Sequence, residues 1–71
     1  MHRSPVRAPL WWARLYAGLT QRDLAEAVGS CRQTISDIER GASTPNVSLA
    51  LAIARRVEMD VADLFGADDL R

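Results

Sequence analysis

The sequence predicts an all-α domain of five short helices, and three observations carry that expectation. Apolar residues from Leu10 onward recur at helical spacings of three, four and seven. No stretch alternates β-branched and polar residues as a strand would. Glycines at 18, 29, 41 and 66 fall just past the periodic stretches, where helices end. The 71 residues suffice for one domain. A chain of this size buries only about 60% of its unfolded surface, so the core is expected to be small. At 48% hydrophobic residues it is nevertheless too apolar for a disordered chain.

The first helix starts at Leu10, with Leu10, Ala13 and Ala17 as inward positions and Gly18 after it. Thr20 can cap the second helix, because its hydroxyl can accept from a free amide of the next turn. Asp23, three residues on, is a shorter analogue of the capping-box acid and suits the positive end of the helix dipole. Leu24, Ala25 and Val28 form the inward stripe, and Gly29 ends the helix. Ser30 and Cys31 alone precede the third stretch, Arg32 to Glu39 or Arg40, whose buried side is Ile35 and Ile38. Two short helices joined through a glycine-led turn form a helix-turn-helix. After a polar loop, Asn46 caps a fourth helix with Val47, Ala50, Leu51 and Ala54 inward, and Leu49 and Ile53 widening the face. Asp60 and Asp63 open a fifth helix carrying Val61, Leu64 and Phe65, which Gly66 closes. The expected organisation is a basic arm over residues 1–9, a globular domain over 10–66 and an acidic tail over 67–71.

The formal net charge is zero, which on its face argues against a nucleic-acid partner. The distribution says otherwise: residues 1–56 hold eight Arg against four acids, a balance of +4, and residues 57–71 hold five acids against one Arg, −4. The lone Cys31 excludes an internal disulfide framework and a clustered-thiolate zinc site, a pattern that suits a reducing compartment. His2 has no second ligand near it, so no metal and no cofactor are expected. No run of about 18 apolar residues offers a membrane span, and the start lacks the apolar core of a secretory signal. Paired carboxylates, a nucleophile with its base and a glycine-rich phosphate loop are all missing from the pattern, so an enzyme is not expected.

The run Gly18-Leu19-Thr20-Gln21-x-x-Leu24-Ala25, then Gly29-x-x-Arg32-Gln33-x-Ile35-Ser36-x-Ile38-Glu39-x-Gly41, resembles the Cro and phage-repressor class (the xenobiotic-response-element family) of helix-turn-helix regulators. The similarity continues through Pro45, Leu51-Ala52-x-Ala54 and Val61-x-x-Leu64-Phe65, most of the chain. The resemblance implies a compact five-helix, lambda-repressor-like domain whose helices two and three form the reading unit. It further implies a sequence-specific regulator of double-stranded DNA, a repressor by preference, acting as a homodimer in a bacterial or phage-type cytoplasm on the nucleoid. By the same resemblance, Arg32, Gln33 and Asp37 fall where bases are read. Thr20, Gln21, Thr34 and Arg40 fall where phosphate is gripped or the helix framed. Arg14 and Glu39 fall where a partly buried ion pair joins helix one to the end of helix three. Helix five, with Val61, Leu64 and Phe65, is the usual dimer region.

The residues themselves support that reading. A major groove about 12 Å wide admits one α-helix, and Arg32, Gln33, Ser36 and Asp37 lie opposite Ile35 and Ile38. Arg32 could fork onto guanine O6 and N7, and Gln33 could pair with adenine N6 and N7. Asp37 could accept from cytosine N4, or instead repel phosphate and orient Arg40. Gln21 at a helix start is apt for a phosphate oxygen. The chain departs from the family pattern at several points. Cys31 stands where a serine usually caps the reading helix, which weakens the cap unless Ser30 takes over, and its thiol at a helix start is either a redox sensor or a small semi-buried residue. Glu58 replaces the glycine common after helix four, a cost of about 1 kcal/mol if φ is positive there. Trp11 and Trp12 are unusual in helix one. With Leu10 and Ala13 facing inward, at least one indole reaches the surface, to pack on the arm or helix five, or to meet a second subunit or another protein. Arg3 and Arg7 either reach a minor groove or neighbouring phosphates, or do nothing. The alternative reading is an antitoxin or interaction module that binds a partner protein and regulates its own promoter.

Overall fold

The computed structural model describes residues 9–66, and these form five helices: α1 (Leu10–Tyr16), α2 (Gln21–Val28), α3 (Arg32–Glu39), α4 (Val47–Val57) and α5 (Val61–Phe65). The first eight residues of the arm, with Arg3 and Arg7, and the tail over 67–71 lie outside the described residues. Helix α2 packs on both α3 and α4, α5 closes over α4, and α1 leans on α3. Leu24, Ile35 and Ile53, from α2, α3 and α4, are fully buried at the centre.

Four of the five helices begin at a residue suited to start them; α3, which follows Cys31, does not. Thr20 Oγ1 accepts from Asp23 N–H (2.9 Å) while Thr20 N–H donates to Asp23 Oδ2 (3.0 Å), so Asp completes a full reciprocal box. Asn46 accepts from Leu49 N–H at 2.8 Å, and Asp60 from Ala62 N–H at 3.1 Å. Pro9 precedes α1, where its fixed φ costs nothing. The Thr20 amide and hydroxyl at Asp23 hold that carboxyl below its ordinary 3.8, so its contribution is full above the unfolded value and fades as pH falls through the folded one.

Helix ends are closed by backbone. At Gly29 (φ 72°) the Ser30 N–H reaches Ala25 O at 2.9 Å, a Schellman closure that requires the left-handed conformation. The end of α4 repeats it, Met59 N–H to Ala54 O at 3.0 Å, but the left-handed residue is Glu58 (φ 60°, ψ 44°). Among the described residues it is the one non-glycine with positive φ.

Two details of the core differ from the expectation. The inward stripe of α4 is Ala50, Ile53, Ala54 and Val57, while Val47 (42%) and Leu51 (43%) are exposed. Positions 50, 53, 54 and 57 line up on one face, whereas 47 and 51 fall on its flank. Ala17 is also exposed, because α1 stops at Tyr16 and Ala17 caps it. Leu19 and Pro45, in the two connecting loops, are buried instead.

One polar cluster ties three helices together. Arg14 of α1 donates through Nε to Glu39 Oε2 (2.6 Å) and through Nη2 to Oε1 (3.3 Å), and its Nη1 meets Leu19 O (3.0 Å). Gln21 of α2 donates to Glu39 Oε1 at 2.9 Å. The Arg14 and Glu39 side chains are only 12% and 7% exposed, so removing one strands the other.

Three outcomes follow for stability. Glu58→Gly relieves the left-handed strain and should stabilise by about 1 kcal/mol, raising Tm by roughly 4–8 °C. Arg14→Met should destabilise by about 3–5 kcal/mol in denaturant titrations, and Glu39→Leu added to it should recover most of the loss, because the penalty belongs to the stranded charge. Asp23→Asn should flatten the acid side of the stability curve below pH about 4; an unchanged curve would remove the capping box from the acid response.

Candidate nucleic-acid interface

Helices α2 and α3 are each eight residues long and are joined by Gly29, Ser30 and Cys31. Ile35 (0%) and Ile38 (9%) pin α3 to the core, which turns its other side outward. Arg32, Gln33 and Arg40 are exposed on that side, and Thr34, Ser36 and Asp37 are half-buried. Gln33, Asp37 and Arg40 therefore share one solvent-facing surface with Ser36 and Arg32 on one flank, whereas Thr34 falls on the other flank with its hydroxyl toward Cys31, and Thr20 and Gln21 stand at the start of α2.

The polar groups of this surface are already organised among themselves. Gln33 Nε2 donates to Asp37 Oδ1 at 2.9 Å, and Arg40 Nη2 donates to the same oxygen. The Gln33 amide first, and the Arg40 guanidinium second, hold the Asp37 carboxyl below its ordinary value, so it is a carboxylate at neutral pH. Gln21 is turned toward Glu39, which leaves one amide hydrogen and its carbonyl oxygen for another partner. The Thr20 side chain is engaged in the capping box with Asp23.

Cys31 is the N-cap of α3 and makes no side-chain cap; Ser30 does not replace it. The Cys31 Sγ instead lies 3.2 Å from Thr34 Oγ1, and that hydroxyl, with the Thr34 and Gln33 amides, pulls the thiol below its ordinary value.

Arg22 was not singled out from the sequence, yet it lines a shallow cleft with Leu19, Thr20, Gln21 and Arg32, between the start of α2 and the start of α3. Neither Arg22 nor Arg32 forms an ion pair among the described residues, whereas Arg14 and Arg40 are held by Glu39 and Asp37. Its place next to Gln21, in the first turn of α2, was the available signal.

The residues expected at a partner surface divide. Trp11 (48%) and Trp12 (45%) are both exposed, and Trp12 stacks on Tyr16 with centroids 5.1 Å apart and planes at 12°. Leu15 and Tyr16 extend the exposed apolar surface of α1. Leu64 offers no such surface: at 6% exposed it belongs to the core, and Val61 is half-buried against it. A five-residue helix has one apolar stripe, and α5 spends it closing over α4. No helix among the described residues is long and apolar enough to cross a membrane, and no group of three or more metal-ligating side chains occurs among them.

The helix-turn-helix family model matches residues 12–64. A Methanocaldococcus jannaschii protein named as an uncharacterized HTH-type transcriptional regulator is 40% identical over 64 residues, covering 90% of this chain and 97% of its own length. A Methanothermobacter thermautotrophicus protein of the same description is 45% identical over 53 residues, 73% of this chain and 77% of the relative. One from Bacillus subtilis is 38% identical over 52 residues, 73% and 79% of the two chains. The five-helix architecture, the α2–α3 unit and these similarities agree: the chain belongs to the Cro/C1-type family of helix-turn-helix DNA-binding domains.

Proposed function

We propose that this chain is a sequence-specific transcriptional regulator, a repressor, that binds double-stranded DNA as a homodimer with α3 in the major groove. The observation that carries the reading is the two-sidedness of α3: Ile35 and Ile38 are buried while Arg32 and Gln33 stand exposed on the opposite side of its first turn. Arg32 takes guanine O6 and N7, Gln33 takes adenine N6 and N7, and Ser36 lies on the same face one turn later. Thr20, Gln21, Thr34 and Arg40 frame the helix or grip phosphate, with Arg22 beside them. One such helix buries too little surface for tight specific binding, so two half-sites about 34 Å apart are needed. The printed names of the relatives, regulators of transcription, support the biological role.

The exposed indoles of α1 favour a second reading alongside the first: a partner protein, as in antitoxins that regulate their own promoters. Co-purification with a protein encoded nearby favours it, and autonomous, salt-dependent binding to the chain's own promoter favours the first.

Selection from random duplexes tests the main reading. The wild-type chain should enrich a two-fold symmetric sequence, and Arg32→Ala and Gln33→Ala should each lose about 1–3 kcal/mol of discrimination at one base pair per half-site. If both variants keep the wild-type preferred sequence, α3 is not the reading helix.

A further inference from the structure

We propose that Asp37 is a positioning residue that confines Gln33 to adenine, by taking one hydrogen of the Gln33 amide and leaving that side chain one donor and one acceptor for a base edge. The inference rests on the reading above, in which Gln33 meets a base, and deepens it.

Gln33 and Asp37 stand four residues apart on α3, and Gln33 Nε2 lies 2.9 Å from Asp37 Oδ1. Arg40, three residues further, donates to the same oxygen and offsets its charge. An ionised carboxylate can only accept, so only the NH2 end of the Gln33 amide can face it. The amide is therefore held in one of its two orientations, a choice that hydrogen bonding fixes physically. A free glutamine amide carries two N–H donors and one oxygen. With one N–H held by Asp37, a single donor and the oxygen remain. Adenine matches that pair, accepting at N7 and donating from N6. Guanine presents two acceptors, O6 and N7, so the fixed Gln33 oxygen opposes an acceptor and both are left unpaired. Released from Asp37, the amide can turn both hydrogens toward guanine. Asp37 touches no base in this arrangement and acts through Gln33.

The test uses the duplex that the wild-type chain selects, at the base pair whose preference Gln33→Ala abolishes. Binding is measured with adenine and with guanine at that position, together with the melting temperature and the salt dependence on unrelated DNA. The wild-type chain should prefer adenine by about tenfold or more. Asp37→Ala should lower that ratio severalfold at that base pair alone, while melting is unchanged and binding to unrelated DNA strengthens with a steeper salt dependence, because Arg40 is released and one negative charge is lost. Asp37→Asn should keep it, because Arg40 only donates and so turns the amide oxygen toward itself and Gln33. In a Gln33→Ala background, Asp37→Ala should change nothing further. An unchanged ratio in Asp37→Ala, where Gln33→Ala loses it, overturns the inference and leaves α3 as the reading helix. A loss at a different base pair also overturns it, since Asp37 would then be a reader itself. If Gln33→Ala keeps the wild-type preference, Gln33 reads no base and the inference falls, while Arg32→Ala still decides whether α3 is the reading helix.

Discussion

The angle between α2 and α3 depends on one carboxylate. Glu39 accepts from Arg14 of α1 and Gln21 of α2 while sitting at the last turn of α3, so three helices share a single polar anchor at the edge of the core. A helix of eight residues with no side-chain cap at its start has little stability of its own. It is held by Ile35 and Ile38 beneath it and by Glu39 at its end. Hydrophobic contact fixes which side faces inward but tolerates sliding; a bidentate ion pair with a third donor fixes direction as well. The same anchor orients Gln21, so the start of α2 and the exposed side of α3 are positioned relative to each other by one group.

That economy reshapes the charge of the exposed surface. Zero net charge is the sum of a basic body and an acidic end, but within the body two of the arginines are occupied as well. On the α2–α3 side, Glu39 holds Arg14 and Asp37 holds Arg40, whereas Arg22 and Arg32 face solvent without an ion pair among the described residues, as do Arg55 and Arg56 at the end of α4. A surface with so few uncommitted cations attracts a polyanion weakly. Selectivity in such a case comes from placed hydrogen-bonding groups rather than from the general field, and the contacts among Gln33, Asp37 and Arg40 are the kind of order this requires.

Helix limits were largely legible in the sequence because the signals are local. Thr20, Asn46 and Asp60 each cap where their side chains predict, and the left-handed Glu58 sits where a glycine is the usual choice. The core was less legible wherever apolar residues exceeded what one face can bury. On α4, Leu51 and Ile53 are equally hydrophobic, and only the packing of α2 and α5 decides that Ile53 goes in. Leu19 and Pro45 carry no periodic signal because they lie in loops, and they are buried through tertiary contact alone. At the site, the residue types and their shared face could be read from spacing, since Ile35 and Ile38 define the opposite side. The bonds among those residues could not: long exposed side chains choose partners by rotamer, and several choices fit the same spacing. Arg22 escaped notice for a related reason, since its cleft exists only once two helices meet.

The stacked Trp12 and Tyr16, with Trp11 beside them, have a practical consequence. The core holds no indole; both tryptophans lie on α1, about half exposed. Intrinsic fluorescence of this chain is therefore a reporter of that outer surface far more than of core packing, because emission follows the polarity around the ring. Anything that settles on the exposed side of α1 would announce itself in the spectrum.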